Sequence, residues 1–426
     1  MGGLFMRRII ALTVCLFLIL GSLVLIAQNL SRAEDEPVYD EPTENRETVA
    51  MWLSQFDLSP MMTENGAQRE QKDYTEKIEA SLEFLKQNGI NTLFVQLRPN
   101  GDSIYPSELF PSSAYAVGRT GAPFSYDPFS ILLSLAHEKG LSVHGWINPL
   151  RIFTDATKNA LTGDYPHLSF CQEDDPRASL VGSTWYLNPA EEEVRTLIAE
   201  GVREILQLYP VDGIHIDDYF YPTTDPFFDG ISYESYRAGG GVFSLADFRR
   251  ESVNRLVSLL YETVHTTRKN CQFGISPSGN IQRNYEELYA DVAYWCSHEG
   301  YVDYLCPQIY FGMEHGTHDF SSVAEDFDRM IEVDGIELYL GMTLEKAYNG
   351  YYGKEDPYAG SGRREWIEHR DVLLRCLTSQ ESLTHKRGVA FFGFRCLVSP
   401  ETTQEEEALR EEWSHLLPHL LALQKN

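Results

Sequence analysis

From Thr48 onward, short runs of β-branched and aromatic residues alternate with longer stretches whose apolar positions recur at helical spacing. That is the pattern of a parallel sheet built from βα units. The short runs predict eight strands: Val49 to Phe56, Thr92 to Arg98, Ser142 to Asn148, Gly213 to Tyr219, Phe273 to Pro277, Val302 to Tyr310, Glu337 to Thr343 and Gly388 to Phe394. Helical periodicity predicts Glu76 to Gln87, Pro128 to Lys139, Ala190 to Leu208, Leu245 to Arg268, Tyr285 to Ser297, Val323 to Val333 and Trp366 to Leu377 between them, and Glu405 to Leu417 after the last. Alternation this regular predicts an α/β fold, a (β/α)8 TIM barrel with long βα loops.

The strand ends carry the chemistry. In Val211-Asp-Gly-Ile-His-Ile-Asp-Asp-Tyr-Phe-Tyr-Pro222 an apolar strand stops in two carboxylates and three aromatic rings. If Ile214 and Ile216 face the helices, period-2 alternation turns His215 and Asp217 inward and leaves Asp218 and Tyr219 at the carboxyl end. Arg98, Asn148, Ser276, Gln308 with Tyr310, and Glu345 close other strands in the same way, and barrel enzymes draw their catalytic groups from such positions. The long connections Pro99 to Tyr126, Pro149 to Tyr186, Tyr221 to Ser244 and Tyr348 to Arg364 all follow strands, so they are expected to line one cleft. Gly239-Gly240-Gly241 follows no strand and reads as a bend rather than a phosphate loop.

Cleavage of a glycosidic bond needs one carboxylic acid to protonate the leaving oxygen and, in most such enzymes, a carboxylate to attack or to activate water. Asp217 is the expected catalytic group, with Asp218 at the mouth and Glu345 as a further carboxylate at a strand end; His215, one layer below, is placed to hydrogen-bond Asp217. Tyr105, Trp146, Tyr219, Tyr221 and Tyr310 offer faces on which sugar rings stack. Arg98, Asp102, Asn148 and Arg151 form a second group at the ends of strands two and three, whose Arg and Asn side chains can bind hydroxyls, N-acetyl carbonyls or a carboxylate, although Arg98 could equally pair with Asp217 or Asp102.

Composition narrows the partners. The chain has 426 residues, 43% hydrophobic and 12% aromatic, enough for a large core. A formal charge of -28 speaks against a nucleic-acid partner and is easier to reconcile with an uncharged or cationic ligand. Arg7 and Arg8 precede an apolar run from Ile9 to Ala27, and Glu34 to Arg46 is polar and proline-containing. Residues 1–33 are therefore expected to be an export signal cut near Ala33 or a membrane anchor, 34–47 a linker, and 48–426 the barrel, outside the cytoplasm. Cys171, Cys271, Cys296, Cys306, Cys376 and Cys396 share no C-x-x-C spacing, which argues against a zinc cluster. No metal or other cofactor is expected.

Met51-Trp-Leu-Ser54, Phe94-Val-Gln-Leu-Arg-Pro-Asn-Gly-Asp-Ser-Ile-Tyr-Pro-Ser107, His144-Gly-Trp-Ile-Asn-Pro149, Asp212 to Pro222, Gly274-Ile-Ser-Pro277 and Pro307-Gln-Ile-Tyr310 together resemble the glycosyl-hydrolase-like 10 family, from about Thr48 to Pro400. The resemblance implies an exported bacterial barrel that hydrolyses cell-wall glycan, as in divisome-associated hydrolases of peptidoglycan strands lacking stem peptides. By motif it implies Arg98, Asp102, Asn148, Asp217, Asp218, Gln308 and Tyr310 as cleft residues. Asp212 to Asp217 is also similar to the chitinase strand-four motif, but Tyr219 stands where a chitinase has its acid Glu. Family members commonly have Ala and Tyr where this chain reads Thr343-Leu-Glu345. The expectation is a glycoside hydrolase; the competing one is a silent barrel that binds wall glycan and scaffolds envelope proteins. A metal hydrolase built on His215, Asp217 and Asp218 would lack a spaced His ligand.

Overall fold

The computed structural model describes residues 47–424, so the expected export segment and nearly all of the linker lie outside the described residues. Eight parallel strands close into a barrel. They are β1 Thr48–Leu53, β2 Thr92–Arg98, β3 Ser142–Ile147, β4 Gly213–Ile216, β5 Gln272–Ile275, β6 Tyr304–Leu305, β7 Glu337–Thr343 and β8 Lys386–Phe392. Each strand pairs with its sequence neighbours, and β1 closes the ring on β8.

Outward residues of the strands pack on helices whose apolar stripes recur at three- and four-residue spacing. Helix Glu192–Leu208, for example, buries Val194, Leu197, Ile198, Val202 and Ile205. Between Ile147 and β4 the long connection folds into a three-stranded antiparallel sheet, Arg151–Thr154, Ala178–Val181 and Thr184–Leu187, that the sequence pattern did not predict. Two predicted helices are each broken in two. Ile281–Glu286 and Val292–Ser297 replace the first, with Tyr289 at φ 53° and the Asp291 side chain capping a fresh start. Glu365–Glu368 and Val372–Thr378 replace the second. Strands β4 and β6 stop short of their predicted ends. The chain beyond β6 leaves the ladder at Pro307, which has no N–H to donate, and Gln308 keeps only isolated bridges to Ser278 and Gly341.

Rings rather than aliphatic layers fill the lumen: Trp52, Phe94, Trp146, Tyr304 and Tyr339 are all buried there. Glycine at inward positions makes room for them. A Cβ on Gly274 would lie 2.0 Å from the Tyr304 ring, and one on Gly213 would lie 2.4 Å from the His144 ring. Gly274→Ala is therefore expected to destabilise the fold by about 2–3 kcal/mol through overpacking, read as a lower midpoint in urea unfolding. An unchanged midpoint would mean that Tyr304 is free to move aside.

Candidate active site

The floor of the barrel mouth is a closed polar network. Trp52 Nε1 donates to His215 Nε2 (3.1 Å), so the proton of a neutral His215 sits on Nδ1, which faces Tyr304 Oη at 2.9 Å. The Tyr304 hydroxyl in turn faces His144 Nδ1 at 2.8 Å and can donate to it. Burial drives the His215 pKa well below its usual value and that of His144 down to about 4, which keeps both rings neutral. Phe94 stacks on His215 with centroids 4.2 Å apart.

One layer up stands Asp217, inward as alternation predicts and only 3% exposed. Its Oδ2 accepts from Trp146 Nε1 (3.0 Å) and Asn148 Nδ2 (2.5 Å), and its Oδ1 accepts from the backbone N–H of Tyr219 at 3.2 Å. The Asn148 orientation is fixed from a distance. The backbone N–H of Gln55 donates to Gln96 Oε1 (2.8 Å), which turns the Gln96 amide nitrogen toward Asn148 Oδ1 (2.7 Å) and leaves the Asn148 NH2 for Asp217. Since a backbone N–H can only donate, the whole relay has one consistent direction. Burial first, and the Asp218 charge second, raise the Asp217 pKa to about 8, against the pull of its three donors. Asp217 thus holds a proton at neutral pH beside Asp218, whose own pKa is also raised by burial, against the Gln308 hydrogen bond and the Arg283 charge.

Around it the mouth gathers most of the predicted residues. Gln308 Nε2 donates to Asp218 Oδ1 and to the Ser276 carbonyl, both at 3.1 Å. The Ser276 hydroxyl is buried with no hydrogen-bond partner among the described residues. Tyr310 stacks near Phe392 (5.9 Å), and Asp218, Glu345 and Asp217 all act electrostatically on its phenol. Glu345 opens helix Leu344–Tyr351 under a Thr343 cap and has Arg395 and Asp57 as charged neighbours. Tyr219 rises at the rim, 50% exposed, within electrostatic reach of Arg151 and Tyr186. Arg151 also acts on buried Asp102, which accepts from the Asn100 N–H (3.0 Å) and the Ser113 hydroxyl and is pushed up to about 6 by burial.

Three residues expected in the cleft lie elsewhere, and a fourth, His215, sits in its floor with other partners than expected. A register shift between Gln96 and Arg98 breaks the alternation of β2, so Arg98 turns outward onto Phe110 (4.3 Å) and against Gly201 of helix Glu192–Leu208. Tyr105 is buried on that same outer side, donating to Glu204 Oε2 at 3.0 Å. Tyr221 is buried between Phe228 and Tyr289, with the Arg249 guanidinium 5.2 Å from its ring. His215 bonds Trp52 and Tyr304 instead of Asp217, and with both ring nitrogens engaged it has no lone pair to offer a metal. Sequence reasoning missed Gln55, Gln96, Trp52, Tyr304 and His144. Gln96 had a readable signal, a polar side chain on the inward face of a fully buried strand.

Residues 47–359 match the glycosyl hydrolase-like 10 family. The chain is 30% identical over 355 residues to glycosyl hydrolase YngK of Bacillus subtilis, a match that spans 78% of this chain and 66% of that protein, just under two thirds. It is 30% identical over 357 residues to glycosyl hydrolase DigH of Escherichia coli K12, covering 78% of each. Two solved structures share the barrel at low identity. The catalytic domain of β-amylase from Paenibacillus polymyxa aligns with TM-score 0.55 and 10% identity over 88% of this chain and 99% of that one. The PgaB (BpsB) glycoside hydrolase domain from Bordetella bronchiseptica aligns with TM-score 0.52 and 12% identity over 82% and 94%.

The raised Asp217 pKa has a consequence for stability. The native protein keeps a proton that the unfolded chain releases above its ordinary value of 3.8, so this stabilisation is complete below about pH 4 and is lost as pH rises to about 8. Asp217→Asn is expected to gain stability relative to the parent across that window, by at most about 1.4 kcal/mol per pH unit. Parallel melting curves from pH 4 to 9 would show it, and a constant difference would contradict it. In Gln96→Leu the Asn148 amide loses its anchor, so the Asp217 pKa should rise further, measurable as a shift of the same stability window to higher pH.

Proposed function

The chain belongs to the glycosyl hydrolase-like 10 family, and from that premise we propose that it is a glycoside hydrolase acting on N-acetylated bacterial cell-wall glycan, peptidoglycan strands lacking stem peptides. The observation that carries this reading is a carboxyl group held protonated at neutral pH at the bottom of a barrel mouth, next to the second carboxyl group of Asp218. Asp217 is the general acid: its proton goes to the glycosidic oxygen as the C–O bond breaks, and Asn148 and Trp146 then stabilise the carboxylate left behind. Asp218, oriented by Gln308, stands beside the developing oxocarbenium ion; a water then adds its oxygen to the anomeric carbon, and the proton it gives up returns to the carboxylate pair, restoring the acid. Tyr219 and Tyr310 offer ring faces at the rim, and the unpartnered Ser276 hydroxyl is available to a sugar hydroxyl or amide.

The site of action is outside the cytoplasm, on the strength of Arg7-Arg8 followed by the apolar run Ile9 to Ala27. One observation favours the second reading, a barrel that binds wall glycan without cutting it and scaffolds envelope proteins: Asp217 is almost fully covered. The two part in a single assay. Peptide-free peptidoglycan digested by the wild type is expected to yield new reducing ends by mass spectrometry. Asp217→Asn should keep glycan binding and lose about 100-fold or more in rate. Turnover should also fall as pH rises through about 8, where the acid gives up its proton. Binding without products from the wild type would establish the scaffold reading, and undiminished turnover by Asp217→Asn would remove that residue from the chemistry.

A further inference from the structure

A hollow of about 390 Å³ opens between the two connections that follow β3 and β4. Its walls are the Ala178–Leu180 edge of the antiparallel sheet and the segment Phe227 to Ser232, with Gln172 to Pro176 as rim. These connections leave the adjacent strands whose tips hold Trp146, Asn148 and Asp217, so the hollow belongs to the same end of the barrel as the mouth. Surface ties the two together. Tyr219 stands at the rim of the mouth, Tyr186 acts on its phenol, and Tyr186 pairs in the antiparallel sheet with Ser179, which lines the hollow.

The walls are fixed before any ligand arrives. The Ser179 hydroxyl donates to the Phe228 carbonyl at 2.5 Å, which clips one wall to the other. Behind the second wall the buried pair of Arg249 and Asp229 (2.6 Å) holds the loop, and Arg249 also donates to the Asp225 carbonyl at 2.7 Å. On this rigid frame Phe227 is 89% exposed, with Leu180 and Ile231 each 47% exposed. Leaving such apolar area in water forgoes roughly 25 cal/mol per Å² of burial, and clustered exposure of this kind marks a contact surface. Beside it Glu173 and Asp174 offer acceptors only, with no positive side chain paired to them among the described residues. An apolar ring face bordered by acceptors is the complement of a sugar with an apolar C–H face and hydroxyl or amide donors at its edge.

Resting on the glycan reading above, we propose that this hollow is a distal subsite. It takes a sugar unit of the same strand several positions from the scissile bond, stacked on Phe227, and the acidic rim selects a neutral or amino-bearing unit over one with its own carboxylate.

The test uses the full-length chain and oligomers of β-1,4-linked N-acetylglucosamine, two to eight units long. Asp217→Asn is expected to bind the octamer at least about tenfold more tightly than the tetramer, the scale of one added aromatic contact. With Phe227→Ala added, that gain should fall below about twofold, while an unchanged melting temperature shows that the exposed residue was not holding the fold. A gain with length that survives Phe227→Ala, or no binding at any length, would overturn the subsite. Failure of the parent reading looks different: length-dependent, Phe227-dependent binding of the oligomers with no reducing ends released by the wild type from peptide-free peptidoglycan leaves the subsite standing and removes the hydrolase. Reducing ends whose length dependence ignores Phe227 would do the reverse.

Discussion

A carboxyl group nearly sealed in a barrel lumen is tolerable only if it stays neutral or is well supplied with donors, and at Asp217 both conditions are met. An ionised, unpartnered carboxylate at that depth would cost several kcal/mol. Two neutral donors and one backbone N–H lower that cost without removing it, so the proton remains to about pH 8. Everything else at the mouth is arranged around that balance. The floor of Trp52, His215, Tyr304 and His144 satisfies its own polar atoms and so competes for none of the donors above it. The relay from the Gln55 backbone through Gln96 dictates which end of the Asn148 amide meets the acid.

Adjacent carboxylates on one strand end would ordinarily be a liability. Here the chain separates their roles by direction: Asp217 points into the lumen, and Asp218, partly exposed, is met by Gln308 across β5. Burial first, and the neighbouring Asp218 second, raise the pKa of the inner group, the arrangement by which two like residues can take different roles in one site. Glu345 is drawn instead toward Arg395 and Asp57 on the β1, β7 and β8 side of the mouth.

Much of this was legible in the sequence. The eight strands were placed from short β-rich runs alternating with helical periodicity, and the inward turn of His215 and Asp217 followed from Ile214 and Ile216 facing the helices. Arg98 was misplaced for a physical reason: the same alternation, carried two residues beyond Gln96, ignores a bulge that no local residue type announces. Tyr105 and Tyr221 show that aromatic residues beside polar strand ends are not thereby surface rings; each is itself buried against a charged partner, Glu204 for one and Arg249 for the other. The antiparallel sheet in the β3 connection was hidden because its strands are four residues long and interrupted by turns. The hydrogen-bond direction through Gln96 depends on contacts between residues far apart in the chain, which no local pattern encodes.

The proposed acid role of Asp217 depends on its protonation state, and that can be observed directly. In protein labelled with carbon-13 at aspartate carboxyls, with the Asp217 resonance assigned by its loss in Asp217→Asn, a pH titration should place its midpoint near 8. A midpoint near 4, the ordinary value for an aspartate, would contradict the account, because Asp217 would then carry a charge at neutral pH and have no proton to give.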